Sequence, residues 1–156
     1  MNHYNQIIDK LERFIRKYYT NELLKGIILF FAIGLLYFLL TVFLEWALWL
    51  SPLARTILFW TFIAVEIALF GRFIIYPLSK LFKLSKGISY EQASAIIGQH
   101  FTEVNDKLLN VLQLKQNTES SELLLASIDQ KAEELQPIQF NFAINFKDNT
   151  KYLKYL

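Results

Sequence analysis

The chain has 156 residues, of which 54% are hydrophobic and 16% aromatic, and its formal net charge is +2. A soluble domain of this length would expose much of that apolar surface to water, so the composition predicts an all-α membrane protein. The small net charge gives no indication of nucleic-acid binding, and a sequence without cysteine excludes disulfides and thiolate chemistry.

The first 25 residues have the pattern of an amphipathic helix. Apolar side chains recur at helical spacing and basic side chains take the other faces. The apolar set is Tyr4, Ile7, Ile8, Leu11, Phe14, Ile15 and Tyr18, and the basic set is Lys10, Arg13, Arg16 and Lys17. Such a helix beside a membrane span lies along an anionic lipid surface, so we expect residues 1–25 to be interfacial. The alternative is that the apolar stripe packs on a partner helix.

Residues 26–77 contain two apolar runs, which predict a transmembrane helical hairpin. Crossing a hydrocarbon core of about 30 Å takes about 20 apolar residues. The first run carries no charge from Gly26 to Leu44, and the predicted spans are residues 27–50 and 56–77. Ser51-Pro52 separates the spans, and Pro77 is expected to end the second one.

Basic residues flank this pair of runs and predict its orientation. Five precede the first span and four end or follow the second, whereas the turn holds Arg55. The positive-inside rule therefore places the N-terminus in the cytoplasm and residues 51–55 in the periplasm. Trp46, Trp49 and Trp60 would then lie at the outer interface.

Each span has one face with distinctive residues. On the second span this face is small or weakly polar, with Ala64, Ala68 and Gly71 permitting close helix approach. On the first span Gly34 and Thr41 belong to a more polar stripe that also includes Tyr37 and Glu45. We expect these two faces to pack together.

Glu66 then points the opposite way, among Phe59, Phe62, Phe70 and Phe73. A carboxylate near mid-membrane costs about 2.5–3.5 kcal/mol on insertion scales, so it is not expected to face lipid alone. The functional interpretation is contact with a third helix or a partner subunit, or a proton path. The alternative is a Glu that merely packs.

Residues 78–137 predict three short amphipathic helices in a small cytoplasmic segment. Ser89 and Gln92 have the spacing of a capping box at the start of the first helix. The predicted buried side chains are Ala93, Ile96, Ile97, Phe101, Leu108, Leu109, Val111, Leu112, Leu124, Leu125, Ile128, Ala132 and Leu135.

Residues 138–156 form a short extended stretch in this prediction. Apolar and polar residues alternate over 138–146, which favours a β-strand, although no second strand is visible to pair with it. The stretch either packs by its aromatic residues or adds to the sheet edge of a partner. Residues 151–156 are typical of the approach to another apolar helix, so we expect a further span beyond them. A natural C-terminus is the alternative.

One segment carries a family resemblance, Gly87–Leu114, whose most specific part is His100-Phe-x-Glu-Val-x-Asp-Lys-Leu-Leu-Asn-x-Leu-Gln-Leu114. It resembles the first cytoplasmic segment of large uncharacterised inner-membrane proteins of Bacteroidota. The resemblance covers essentially the whole chain. Within the most specific part, Thr102 departs from the family pattern, which has Pro at that position. It implies a helical hairpin, a cytoplasmic helical segment, a further span and a long periplasmic region. It implies no activity.

The sequence offers little catalytic or cofactor chemistry. Its five glycines are scattered and form no phosphate-binding loop. His100 and Glu103 are three residues apart and could share a helix face, but a single His–carboxylate pair is more often a polar contact than a metal site. We predict no metal, no cofactor, no small-molecule substrate and no enzymatic activity.

These features together predict an integral inner-membrane subunit or scaffold that docks onto a larger membrane complex. Secretion or protein-translocation machinery is the type of complex we consider. The alternative is a transport or signal-relay protein that uses Glu66. A third option is an enzyme whose active site lies wholly beyond Leu156.

Overall fold

The computed structural model describes residues 3–116 and 122–155. Within those ranges the chain is all-helical, as predicted, and contains no β-strand. It forms two compact units. Unit 1 comprises Met1–Tyr18 and Lys86–Asn145, and unit 2 comprises Tyr19–Ser85 and Phe146–Leu156.

Helix α1 (His3–Leu48) is a single continuous helix of 46 residues. At 1.5 Å per residue it is about 70 Å long, more than twice the thickness of a hydrocarbon core. The division predicted at residue 25 is therefore not a break in the helix. The helix ends where Trp49 takes a left-handed φ of 45° and Ser51-Pro52 follows.

The second apolar run forms α2 (Pro52–Phe70), a π-helical turn (Gly71–Ile75) and α3 (Tyr76–Leu81). The Ser51 side chain accepts a hydrogen bond from the Ala54 N–H and caps the start of α2. Pro77 does not end the helix, which continues through it to Leu81, and the end of the second span at Pro77 stays a prediction. The wider π turn just before Pro77 changes the hydrogen-bond register where proline cannot donate.

Both α1 and the run from Pro52 to Leu81 are long and apolar enough to cross a membrane. Their mutual contacts run in opposite chain directions: the later a residue lies in α1, the earlier its partner lies in α2. Glu45 contacts Arg55, Tyr37 stacks on Phe62, and Phe30 packs against Phe70. This order is that of two antiparallel helices.

Unit 1 contains α4 (Tyr90–His100), α5 (Thr102–Gln116), α6 (Glu122–Glu134) and a 3-10 turn (Phe140–Ala143). The capping box at the start of α4 is confirmed: Ser89 accepts from the Gln92 backbone, and the Gln92 side chain accepts from the Ser89 backbone. Most of the predicted buried side chains are in the core. The fully or nearly fully buried ones are Ala93, Ile97, Leu108, Val111, Leu112, Ile128, Ala132 and Leu135. Leu125 is instead 43% exposed, and the Leu124 side chain lies outside the described residues.

The apolar stripe at the start of α1 belongs to this same core. Ile7, Leu11 and Phe14 are fully buried there. The interfacial interpretation placed these side chains on a lipid surface, and in the structure they pack against helices of their own chain instead. The physical reason is that three short amphipathic helices bury too little apolar area alone, and α1 supplies the missing face.

The β-strand predicted over 138–146 is wrong. The segment makes a 3-10 turn at Phe140–Ala143, so the apolar residues that alternate in sequence do not share one face. Phe140 and Ile144 are buried in the core of unit 1, whereas Phe142 is 66% exposed.

The last described segment, Phe146–Tyr155, is a 3-10 helix in unit 2. It attaches to α1 through Asn149, whose side-chain amide donates to the Asn21 side-chain oxygen at 2.8 Å. Lys25 of α1 lies over the Tyr152 ring, with Nζ 5.4 Å from the ring centroid. The further span expected beyond Leu156 lies outside the described residues.

Candidate functional site: the α1–α2 interface

Glu66 faces α1. A Cβ added at Gly34 would lie 3.0 and 3.2 Å from the two carboxylate oxygens of Glu66, so the glycine leaves the space that this side chain uses. Glu66 Oε1 is buried and has no hydrogen-bond partner among the described residues. A mid-helix carboxylate therefore lies between the two apolar helices.

The aromatic residues around Glu66 share its orientation. The Phe62 ring stacks on Tyr37 at 5.8 Å between centroids, and Phe70 meets Phe30 edge-on at the same distance. Phe59 lines a cleft between the helices together with Phe62. These rings add contact area to the interface on both sides of the carboxylate.

Phe73 contributes through its backbone. Its carbonyl oxygen lies against Gly26, so closely that a Cβ at position 26 would overlap it. In an α-helix this carbonyl would accept a hydrogen bond from residue 77, which is proline and has no N–H. Gly26 therefore allows α1 to approach the π turn at the carbonyl that Pro77 cannot donate to.

The face of α2 assigned to helix packing was therefore the wrong one. Ala64 and Ala68 are exposed, and they line an open groove on the outer face of α2 with Thr61 and Trp60. A Cβ added at Gly71 would have no atom within 4 Å. Small residues on α2 were predicted to form the packing face, but the glycines of α1 instead receive the Glu66 side chain and the Phe73 carbonyl.

The stripe on α1 does face α2, through Gly34, Tyr37 and Glu45. Thr41 lines the cleft beside Phe59, and its hydroxyl donates to the Tyr37 carbonyl of its own helix at 2.9 Å. This bond satisfies a hydroxyl that would otherwise be unpaired in an apolar setting.

A Glu45–Arg55 ion pair closes the interface beside the turn. Arg55 Nε and Nη2 both lie 2.6 Å from Glu45 Oε1. This pair was not predicted from the sequence, although opposite charges on either side of a short turn between two apolar helices indicate such a contact. The pair joins the ends of α1 and α2 and neutralises both charges.

Basic residues of α1 in unit 1 bind backbone carbonyls of the same unit. Lys10 donates to Gln136 and Ile138, and Lys17 donates to Asn141 at 2.6 Å. Burial lowers the pKa of Lys10 from its usual value of 10.5. These lysines hold the segment around Phe140 onto α1.

Two further polar contacts link α1 to the other helices of unit 1. The His3 backbone and ring contact the Asp129 carboxylate at 2.8 and 3.1 Å. Tyr90 donates to Glu12 at 3.1 Å, and burial together with this carboxylate raises the pKa of Tyr90 above its usual value of 10.0.

The described residues do not bring together enough side chains to bind a metal ion. No three His, Asp or Glu side chains within the described part of the chain could jointly hold a metal ion. His100 is exposed and meets the Phe101 ring edge-on at 5.1 Å, while the side chain of Glu103 lies outside the described residues.

Comparison with protein-family models, curated proteins and solved structures finds no match to this chain.

Proposed function

We propose that this chain is a non-enzymatic, multi-pass protein of the bacterial cytoplasmic (inner) membrane that serves as a subunit or scaffold of a larger membrane complex. The observation that carries the proposal is the apolar surface that α1 and α2 leave exposed in unit 2. Trp49, Leu53 and Ile67 are 88%, 73% and 67% exposed, and similar neighbours surround them. Soluble proteins rarely present such continuous apolar area to water, so lipid and partner helices are the surroundings it fits.

In this proposal α1 and the run from Pro52 to Leu81 form a transmembrane hairpin with a periplasmic turn at residues 51–55. The distribution of basic residues along the sequence supports a cytoplasmic N-terminus. The Glu45–Arg55 ion pair supports the placement of the turn, because paired charges near a membrane interface cost less than single ones.

Docking onto the complex would use the open face of α2, and a transmembrane helix of another subunit would fit it. Ala64, Ala68 and Gly71 have no described neighbours that fill this face, and small residues allow two helix backbones to approach closely. Secretion or protein-translocation machinery is the proposed type of partner complex.

The test is co-purification after gentle detergent extraction, with mass spectrometry of the intact assembly. Ala64→Phe combined with Ala68→Phe should reduce recovery of partner chains at least tenfold, because two rings block close helix approach. Leu36→Phe is the matched control, since Leu36 is 68% exposed on α1 and lies away from the groove. Equal recovery from both variants, or a chain of 18.4 kDa extracted without partners, would contradict the docking role.

A second function is favoured by one observation, the unpartnered Glu66 Oε1 between the helices. A carboxylate there could take up and release a proton in a transport or signal-relay protein. Glu66→Gln should then abolish a proton-coupled flux or response in reconstituted vesicles while assembly stays intact. A Gln variant with wild-type flux, together with a Glu66→Leu variant that still assembles, would leave Glu66 as a packing residue.

A further inference from the structure

Two tyrosines of unit 2 are each flanked by a pair of cations. Arg72 and Lys80 lie over Tyr76, with Cζ and Nζ 5.1 and 5.3 Å from the ring centroid. Lys25 and Lys151 lie over Tyr152, each with Nζ 5.4 Å from the centroid. We call these six residues the tyrosine–basic belt.

Both clusters occur at the same stretch of α1. Tyr152 contacts α1 at Lys25, and Asn149 contacts it at Asn21. Phe73, three residues before Tyr76, lies against the next residue, Gly26. Gly26 is also where the uncharged run of α1 begins, so the belt marks the boundary between polar and apolar surface in unit 2.

The charge at this boundary is strongly positive. Apart from the Glu45–Arg55 pair and Glu66, unit 2 holds seven basic and two acidic residues, and all of them lie on the belt side of the apolar runs. The acidic residues are Glu22, which lies 3.9 Å from Lys25, and Asp148. The excess positive charge suits an anionic surface.

Exposed apolar side chains accompany the belt. After α3 the chain turns at Lys83, whose φ is 57°, and the flanking Phe82 and Leu84 are 66% and 81% exposed. Lysines interleaved with exposed apolar residues can contact head groups while their neighbours enter the acyl boundary.

We propose that the tyrosine–basic belt binds the head groups of anionic phospholipids. The proposal rests on the proposed membrane location and deepens it by naming the lipid. It moves lipid recognition away from Lys10, Arg13, Arg16 and Lys17, because Lys10 and Lys17 are engaged by carbonyls of unit 1 and the apolar stripe beside them is buried. Anionic head groups fit because the belt places cations beside tyrosine rings at the start of the apolar runs, where the charge of unit 2 is positive.

The test measures lipid binding by the full chain in a neutral detergent, with native mass spectrometry during titration with phosphatidylglycerol or phosphatidylcholine. The wild-type chain should bind phosphatidylglycerol more tightly than phosphatidylcholine. The test variant combines three substitutions, Lys25→Gln, Lys80→Gln and Lys151→Gln. Each lost cation should weaken phosphatidylglycerol binding about fivefold at low ionic strength, so the triple variant should bind roughly 100-fold more weakly. The matched control removes three charges from unit 1, with Arg13→Gln, Lys107→Gln and Lys131→Gln, and should bind like the wild type.

A second measurement keeps the proposal falsifiable if the triple variant purifies poorly. Raising the salt concentration should weaken phosphatidylglycerol binding by the wild type and leave phosphatidylcholine binding unchanged. Equal binding of both lipids, or equal loss in the unit 1 control, would overturn the proposal. Extraction of the chain by alkaline carbonate would instead overturn the membrane location, so the two failures are distinguishable.

Discussion

At the scale of single residues, two glycines of α1 determine how the apolar helices meet. Gly34 accommodates the carboxylate of Glu66, and Gly26 accommodates the carbonyl of Phe73. In both places the neighbour comes from α2 or the π turn, and a side chain on α1 would occupy its space. Gly71 lies at a third position on the other helix, where a methyl group would meet nothing.

We therefore expect Gly26→Ala to destabilise the α1–α2 interface by about 1–3 kcal/mol, the usual cost of overpacking against atoms that cannot move aside. A backbone carbonyl is such an atom, whereas the end of a flexible side chain is not. Thermal unfolding in detergent micelles, followed by circular dichroism, measures the change.

Gly71→Ala is the control for this prediction. It adds the same methyl group in open space and should be neutral or stabilising by up to about 1 kcal/mol, because alanine favours helix over glycine. If the two variants unfold at the same temperature, the close approach at Gly26 has no energetic role.

At the scale of elements, the start of α1 serves as the fourth helix of a small bundle with α4, α5 and α6. Its apolar stripe completes the core, and its polar residues reach the neighbouring elements through Lys10, Lys17 and Glu12. The two parts of α1 therefore pack against different elements, because the residues after Gly26 contact α2. An amphipathic pattern next to an apolar run does not distinguish a lipid surface from a protein core.

The contact of α4 with α1 should make unit 1 sensitive to alkaline pH. The raised pKa of Tyr90 means that the folded state holds its proton more tightly than the unfolded state does. This contribution to stability is complete below the usual value of 10.0 and is lost as the pH rises through the folded pKa. Tyr90→Phe should cost about 1 kcal/mol at neutral pH, through the lost hydrogen bond, and should reduce the decline in stability above pH 10.

Urea titrations at pH 8 and above pH 10 provide the measurement, followed by helical circular dichroism. Glu12→Gln is the companion variant, because it removes the carboxylate and retains the phenol. Identical pH dependence in the wild type and Tyr90→Phe would show that this hydroxyl is not responsible.

At the scale of the whole molecule, the topology proposed from the basic residues places the turn at residues 51–55 in the periplasm and residues 78–137 in the cytoplasm. The sequence contains no cysteine, so single cysteines can be introduced without a background. Ser51 and Gln113 are both exposed and suit this purpose.

With a membrane-impermeant maleimide, Ser51→Cys should react in intact cells and Gln113→Cys only after the membrane is permeabilised. The cysteine-free parent chain is the control for nonspecific labelling. Reaction of both variants in intact cells, or the reverse order, would contradict the proposed orientation.

The sequence by itself determined the class of structure, because local signals were strong. Long uncharged runs predicted the two apolar helices, helical spacing predicted most of the unit 1 core, and Ser89 with Gln92 predicted the cap of α4. Each of these depends on residues close together in the chain.

Only the tertiary structure decided which faces meet. Glu66 faces Gly34, and small residues are left on the outer face of α2. Within the proposed membrane location, a carboxylate between helices costs less than one exposed to lipid. The stripe of α1 joined a protein core, and residues 138–146 folded into a 3-10 turn around Phe140. These outcomes depend on contacts between residues that are distant in the sequence. The contacts of α1 with residues 138–146, for example, join residues more than a hundred positions apart. No local pattern contains that information.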